Sequence, residues 1–224
     1  MTKKVCKTTL TNINDLSEEL YLKIFSFLST KRYVVTSVLS KQWKYLWKKV
    51  PTLKFDKSEH NDYISFKLYV DKSVFEHQSH VLESFNLKVA NTFLDENIGL
   101  WIKTTLHRHH CQLRELEIDA EHILLQLPRE LLTIKILGVL KLKGKEINVE
   151  APLTTVCLPS LKTLHHHSRR FDFDSLQMLL SSCNLLTDLI VTRETTLVMV
   201  SKGSLFFEYD ISWCKALVAL KLEG

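Results

Sequence analysis

The sequence predicts a two-part α+β molecule, a small N-terminal three-helix unit followed by a short, irregular α/β solenoid. Three observations carry this expectation. Residues 16–55 hold a dense set of apolar side chains at helical spacing, residues 56–62 interrupt that pattern with polar and charged side chains, and from Leu82 onward one six-residue frame of leucines recurs. The expected division is a flexible basic tail over 1–13, the helical unit over 14–55, a linker with a covering helix over 56–81, and about five or six repeats over 82–224.

The tail holds Lys3, Lys4 and Lys7 with no apolar run behind them, which argues against a signal peptide. In the first helix Leu20, Ile24, Phe27 and Leu28 form one stripe, and Tyr21 and Phe25 widen it to a second face. Ser17 is placed to cap this helix, with Glu18 and Glu19 at the positive end of its dipole. Thr30 and Ser40 are the next expected caps. Trp43, Leu46, Trp47 and Val50 make the stripe of a third helix, which Pro51 ends by disfavouring helical geometry at Val50. A segment of about 40 residues is near the lower limit for an independent core, so a docking partner is expected to cover the apolar surplus.

These residues resemble the plant form of the F-box. The matching stretches are LSEEL at 16–20, IFSFL at 24–28, STK at 29–31, TSVLSKQW at 36–43, LW at 46–47 and VPTLKFD at 50–56. The resemblance implies binding to a Skp-type adaptor and, through it, to a cullin-based ubiquitin ligase. By matching position, Leu16, Ser17, Leu20, Ile24, Leu28, Val38, Leu39, Trp43, Leu46 and Trp47 are the residues implied to make that contact or to shape it. Ser17 and Ser29 stand where the family has prolines, and Gln42 where it has arginine. Losing the first proline removes a rigid apolar wedge from the usual contact.

Beyond the polar break, Ile64, Leu68 and Phe75 lie at helical separations and predict a helix covering the start of the second part. The frame L-x-x-L-x-L then begins at Leu82, Leu113, Leu137, Leu161, Leu186 and Leu217, in steps of 31, 24, 24, 25 and 31 residues. The central steps match the period of leucine-rich repeats, in which each unit contributes one short parallel strand and a returning arm. Strand alternation directs Leu140 and Leu142 inward and Lys141 and Lys143 outward. The arm is clearest at 174–183, where Leu176, Leu179 and Leu180 follow the capping candidates Asp174 and Ser175. LREL at 113–116, LPREL at 127–131, CLPSLKTL at 157–164, SLQMLLSSC at 175–183 and DLIV at 188–191 resemble the repeats that follow the F-box in a large plant family. His166 replaces an inward apolar residue and is expected to weaken its strand locally. Residues 217–224 look like the start of another repeat with nothing after it to cover its end.

Composition narrows the remaining classes. With 224 residues, 45% hydrophobic and 25% charged, the chain has room for one sizeable domain beyond the helical unit. A net charge of +5 and a pI near 8.9 suit an acidic partner without demanding nucleic acid. Five cysteines with no C-x-x-C pair favour a reducing compartment, the nucleus or the cytoplasm. No apolar run approaches the ~18 residues of a membrane span, so no membrane association is expected. His107, His109, His110 and Cys111 lack the two separated ligand pairs of a zinc module, and adjacent histidines at 165–167 point to opposite faces of a strand, so neither metal nor cofactor is expected. Five glycines leave little material for a phosphate loop, no catalytic motif is found, and Asp172 and Asp174 beside Arg169 and Arg170 read as a loop salt-bridge network. The chain is expected to be a non-enzyme.

The resulting expectation is a substrate-recognition subunit whose helical unit docks on the adaptor and whose repeats hold a target protein. Recognition is expected at the outward residues Glu115, Glu117 and Asp119, then Lys141 and Lys143, then His165 and His167, then Asp188, Ile190 and Thr192, then Lys221 and Glu223. That surface would be acidic at one end, basic next and then histidine-rich, with binding sensitive to pH between about 5.5 and 7 if the histidines make contacts. Two alternatives stay open: a plain interaction scaffold or truncated nonfunctional relative that has lost adaptor binding, and a DNA-binding module presenting Lys41, Lys44, Lys48 and Lys49. For the latter only Gln42 is placed for base-edge contact.

Overall fold

A computed structural model describes residues 16–39, 43–89, 97–108, 112–149, 156–170, 179–180, 182–193, 196–201 and 204–207. The frame written in leucines becomes a sheet. Strands β1 (Thr52–Asp56), β2 (Ser84–Lys88), β3 (Glu115–Leu127), β4 (Val139–Val149), β5 (Thr163–Arg170) and β6 (Asp188–Arg193) pair in parallel, each beside its predecessor in the chain. The register repeats from strand to strand. Leu53, Phe85, Leu116, Leu140, Leu164 and Leu189 form one inward row, and Phe55, Leu87, Ile118, Leu142, His166 and Val191 form the next. All twelve are buried. Removing one such aliphatic side chain from water contributes about 1.5–3 kcal/mol.

The turn into each strand repeats as well. Backbone N–H groups of Glu115, Val139, Thr163 and Asp188 donate to the carbonyls of Glu83, Arg114, Gly138 and Lys162 at 2.9–3.1 Å. Stacking therefore satisfies the turns by the same ladder that satisfies the strands. The first strand was not anticipated, although Val50, Leu53 and Phe55 have the spacing of Leu82, Phe85 and Leu87. Strands β3 and β4, at 13 and 11 residues, are longer than the short strands expected, and their pairing shifts register between Ala120 and Leu124.

The first two connections between strands hold helices. Helix α3 (Tyr63–Glu76) is capped by Asp62, whose carboxylate accepts from Ser65 N at 2.7 Å. The helix matches expectation, but the stripe does not. Ile64, Leu68 and Phe75 face solvent, while Phe66, Val70, Ser73 and Val74 pack inward, because these are the side chains directed at Leu82, Phe85 and the sheet. Helix α4 (Asn97–Arg108) was missed despite Ile98, Trp101, Ile102, Thr105 and Leu106 at i, i+3, i+4, i+7 and i+8, all buried. At Gly99 a Cβ would lie 2.5 Å from the carbonyl oxygen of Gln126, so only glycine lets α4 approach β3 this closely. A further 3-10 turn, Arg129–Thr133, buries Leu131 and Leu132.

Beyond β6 the strand direction changes, and the exposed end expected at 217–224 lies outside the described residues. Strand β7 (Thr196–Ser201) pairs antiparallel with β6, and β8 (Ser204–Phe207) pairs antiparallel with β7, so the far edge of β6 is occupied by a hairpin. The frame at 217–222, most of the arm at 174–183 and the tail lie outside the described residues. So do Ser40 to Gln42, the cluster His109, His110 and Cys111, and Asp172 and Asp174. Among the described residues no helix is long and apolar enough to cross a membrane.

The helical unit consists of α1 (Glu18–Ser26), α2 (Thr30–Thr36) and the segment Trp43–Lys49, which is a 3-10 helix rather than the α-helix anticipated. Ser17 caps α1 as expected, accepting from Leu20 N at 3.4 Å. Ser29, not Thr30, occupies the cap position of α2 and makes no capping bond. Its hydroxyl instead donates to the Glu59 carboxylate at 2.9 Å. Thr30 is buried, where its hydroxyl accepts from Tyr33 OH at 3.0 Å and from Lys54 N of β1 at 2.8 Å. The unit is thus fastened to the sheet, and His77 Nε2 against the Val50 carbonyl at 2.8 Å and Gln78 N donating to the Lys48 carbonyl at 2.7 Å add to the seam.

Candidate functional site

The helical unit has a small core of its own. Tyr21, Phe25, Tyr33, Trp43, Leu46, Trp47 and Val50 are buried together, with Trp43 edge-on to Phe25 at 6.0 Å between ring centroids. The sequence shows two apolar faces on α1 without choosing between them, and the core makes the choice. Tyr21 and Phe25 face inward, and the other stripe faces out: Leu20 and Ile24 are about half exposed and Phe27 is 75% exposed. Both faces are apolar, and the face carrying Tyr21 and Phe25 is the one that fills the space against Tyr33 and Trp43.

Exposure divides the ten implied adaptor residues into two groups. Leu20, Ile24, Val38 and Leu39 present apolar surface, Val38 and Leu39 at 85% and 76% exposure, and Ser17 is exposed at the start of α1. Trp43, Leu46 and Trp47 are interior and act through packing, while Leu16 and Leu28 pack partly buried against that core. Three further exposed apolar side chains of the unit are not among the implied contacts: Phe27, Val35 and Tyr45. Phe27 sits inside the stripe already read, and only its orientation was illegible.

The outward face of the sheet is arranged in rows. Lys54, Asn86, Glu117, Lys141, His165 and Ile190 form one, and Asp56, Lys88, Asp119, Lys143, His167 and Thr192 the next. Strand alternation therefore brings the described target candidates onto one face, with Glu115 and Asp188 at the strand starts. Lys221 and Glu223 lie outside the described residues. The acidic, basic and histidine order is present, but the charges meet across strands: Lys141 to Glu117 at 3.9 Å, Lys143 to Asp119 at 3.9 Å and to Glu121 at 2.8 Å.

His165 donates from Nε2 to the Asp188 carboxylate at 3.0 Å, so two residues expected to reach for a target hold each other. Hydrogen bonding to Lys143 holds the Glu121 carboxyl below its ordinary range and raises the Lys143 ammonium. Burial, then the neighbouring charges of His165 and Lys143, lowers His167. His166 points inward as anticipated, and burial pushes it down to about 4, which keeps it neutral in the core. Glu121, Lys143, His167, Arg169 and Thr192, from β3 to β6, line a cavity of about 540 Å³.

Comparison with known proteins places the two parts together. Residues 13–55 match the F-box domain model. An F-box/FBD/LRR-repeat protein of Arabidopsis thaliana is 59% identical over 225 residues, covering 100% of this chain and 49% of the relative. An FBD-associated F-box protein of the same plant is 39% identical over 189 residues, covering 82% of this chain and 44% of the relative. A second F-box/FBD/LRR-repeat protein is 36% identical over 185 residues, 81% of this chain and 43% of the relative. The chain spans about half the length of the curated relatives it matches. F-box domains generally bind Skp-type adaptors, and the proteins that carry them generally act as substrate adaptors of SCF-type ubiquitin ligases. On the 43-residue domain match and the resemblance that continues through the repeats, the chain belongs to the plant F-box/leucine-rich-repeat family.

Proposed function

We propose that the chain is a non-catalytic substrate-recognition subunit of an SCF-type ubiquitin ligase, acting in the nucleus or the cytoplasm. Its 14–55 segment is the three-helix F-box that docks on a Skp-type adaptor and through it on a cullin. Its 82–224 segment is a short leucine-rich-repeat solenoid that holds the protein to be modified. The observation that carries this reading is the exposed apolar set Leu20, Ile24, Phe27, Val35, Val38, Leu39 and Tyr45 around a separately packed core. Surface of this kind costs solubility unless a partner removes it from water.

The repeat reading is supported by the in-register parallel strands and the recurring turn bonds. The target face comprises the outward rows, where Glu115, Glu117, Asp119, Lys141, Lys143, His167, Ile190 and Thr192 are offered to a partner and His165 and Asp188 shape one another. Ser17 and Ser29, which replace prolines of the family pattern, both carry structural bonds here, so the fold accommodates them. The test is co-precipitation of the full chain with a purified Skp-type adaptor. The wild-type chain is expected to retain the adaptor and the Leu20→Asp/Ile24→Asp double variant to lose it, with unchanged thermal unfolding. Equal retention by both would overturn the proposal.

A further inference from the structure

Between the helical unit and α3 runs a groove of about 580 Å³. Val34, Val38, Tyr45 and Trp47 supply its apolar side, from the end of α2 and from the 3-10 helix Trp43–Lys49. The opposite wall is Tyr69, Lys72, Ser73 and Glu76 of α3, a helix that lies wholly outside the 13–55 domain match. Val38 and Tyr45 belong both to this groove and to the exposed apolar set of the helical unit.

The charge at the rim is one-sided. Lys44, Lys48 and Lys72 surround it against the single carboxylate of Glu76, which lies 3.0 Å from Lys48 and 3.9 Å from Lys72. Lys44 sits over the Tyr45 ring at 5.5 Å and is exposed. A floor of valine and aromatic surface under a positive rim matches a segment that carries both apolar and acidic side chains.

We infer that the adaptor-docking surface extends beyond the F-box onto α3, and that the groove between them seats an acidic, apolar-bearing segment of the Skp-type adaptor. This rests on the adaptor reading above. Recognition by the chain is then a property of the F-box together with the helix that follows β1. Variation at 69, 72, 73 and 76 tunes the affinity for adaptors that share the same F-box contacts.

The experiment is calorimetric titration of the full chain with a purified Skp-type adaptor at low and moderate salt. Lys72→Glu is expected to weaken binding roughly three- to tenfold at low salt, and less at moderate salt, as screening removes the rim field. Glu76→Gln is expected to tighten binding, because it deletes the one opposing charge. A structural role alone cannot produce that opposite sign. Lys145→Glu on the exposed surface of β4 is expected to leave affinity unchanged, and thermal unfolding checks each fold. If Lys72→Glu and Glu76→Gln bind as the wild type while Leu20→Asp abolishes binding, the groove assignment fails and the F-box reading stands. If both groove variants weaken binding, the loss belongs to the fold and the assignment fails. If the wild type does not bind the adaptor, both readings fail.

Discussion

Leu116 and Ile24 are both branched aliphatic residues on regular elements, yet Leu116 is wholly buried within β3 and Ile24 stands 44% exposed on α1. The same contrast separates the two parts of the molecule. In the sheet the inward rows from Leu53 to Leu189 and from Phe55 to Val191 are buried by their neighbours in the stack, and the exposed apolar residues of this part, such as Ile64, Leu68 and Phe75, lie away from those rows. In the helical unit seven residues form a core and seven comparable side chains remain outside it. The inward rows of the sheet are closed by their own chain, whereas half of the helical unit's large apolar side chains stay open, as the proposed adaptor docking requires.

The sharpest way to break this comparison is to truncate both kinds of residue and measure unfolding by urea. Leu116→Ala or Leu140→Ala is expected to cost about 2–5 kcal/mol, since neighbouring strands cannot close the cavity. Phe27→Ala, at the other end of the scale, is expected to change stability by less than about 0.5 kcal/mol. Equal costs would erase the distinction.

Next in size is the pH response of the row that contains His166. In the unfolded chain an imidazole takes up its proton near 6.5, whereas the buried ring resists protonation until about 4. Between those values the unfolded state binds more protons, so stability is full above 6.5 and falls as pH drops towards 4, by about 2–3 kcal/mol from this group. His167, lowered in the same direction, adds to the slope. Urea midpoints at neutral and acidic pH are expected to converge in His166→Leu relative to the wild type. A slope unchanged by that substitution would remove His166 from the account.

A smaller effect is expected where α4 meets β3. Gly99→Ala places a methyl 2.5 Å from the Gln126 carbonyl oxygen and should cost about 1–3 kcal/mol as the helix backs away. Smaller again is the seam between the parts. Tyr33 OH lies 3.0 Å from both Thr30 Oγ1 and the Thr52 carbonyl, and Tyr33→Phe should lower stability by about 1 kcal/mol. Thermal unfolding of the two variants checks the order.

The sheet was legible because its frame has one solution. A leucine spacing of three and then two residues, repeated at about 24, fixes which side chains share a face, and the rows from Leu82 to Val191 followed directly. The first strand carried the same spacing at Val50, Leu53 and Phe55, hidden by its overlap with the helical motif. In α1 and α3, by contrast, apolar residues lie on more than one face, and periodicity cannot choose between them. Tyr21 and Phe25 went inward over Leu20 and Ile24, and Phe66 and Val70 over Ile64 and Leu68, because of what lay opposite. The ion pairs that cross the outer face, and the groove against α3, depend on the register between distant segments. No local pattern encodes them.

The most direct test of the central claim is amide hydrogen exchange of the full chain with and without a purified Skp-type adaptor. The account predicts new protection in α1, α2 and residues 43–49 and in the 69–76 half of α3, with β3 to β5 unchanged. Protection confined to the sheet, or none anywhere at adaptor concentrations well above micromolar, would contradict it.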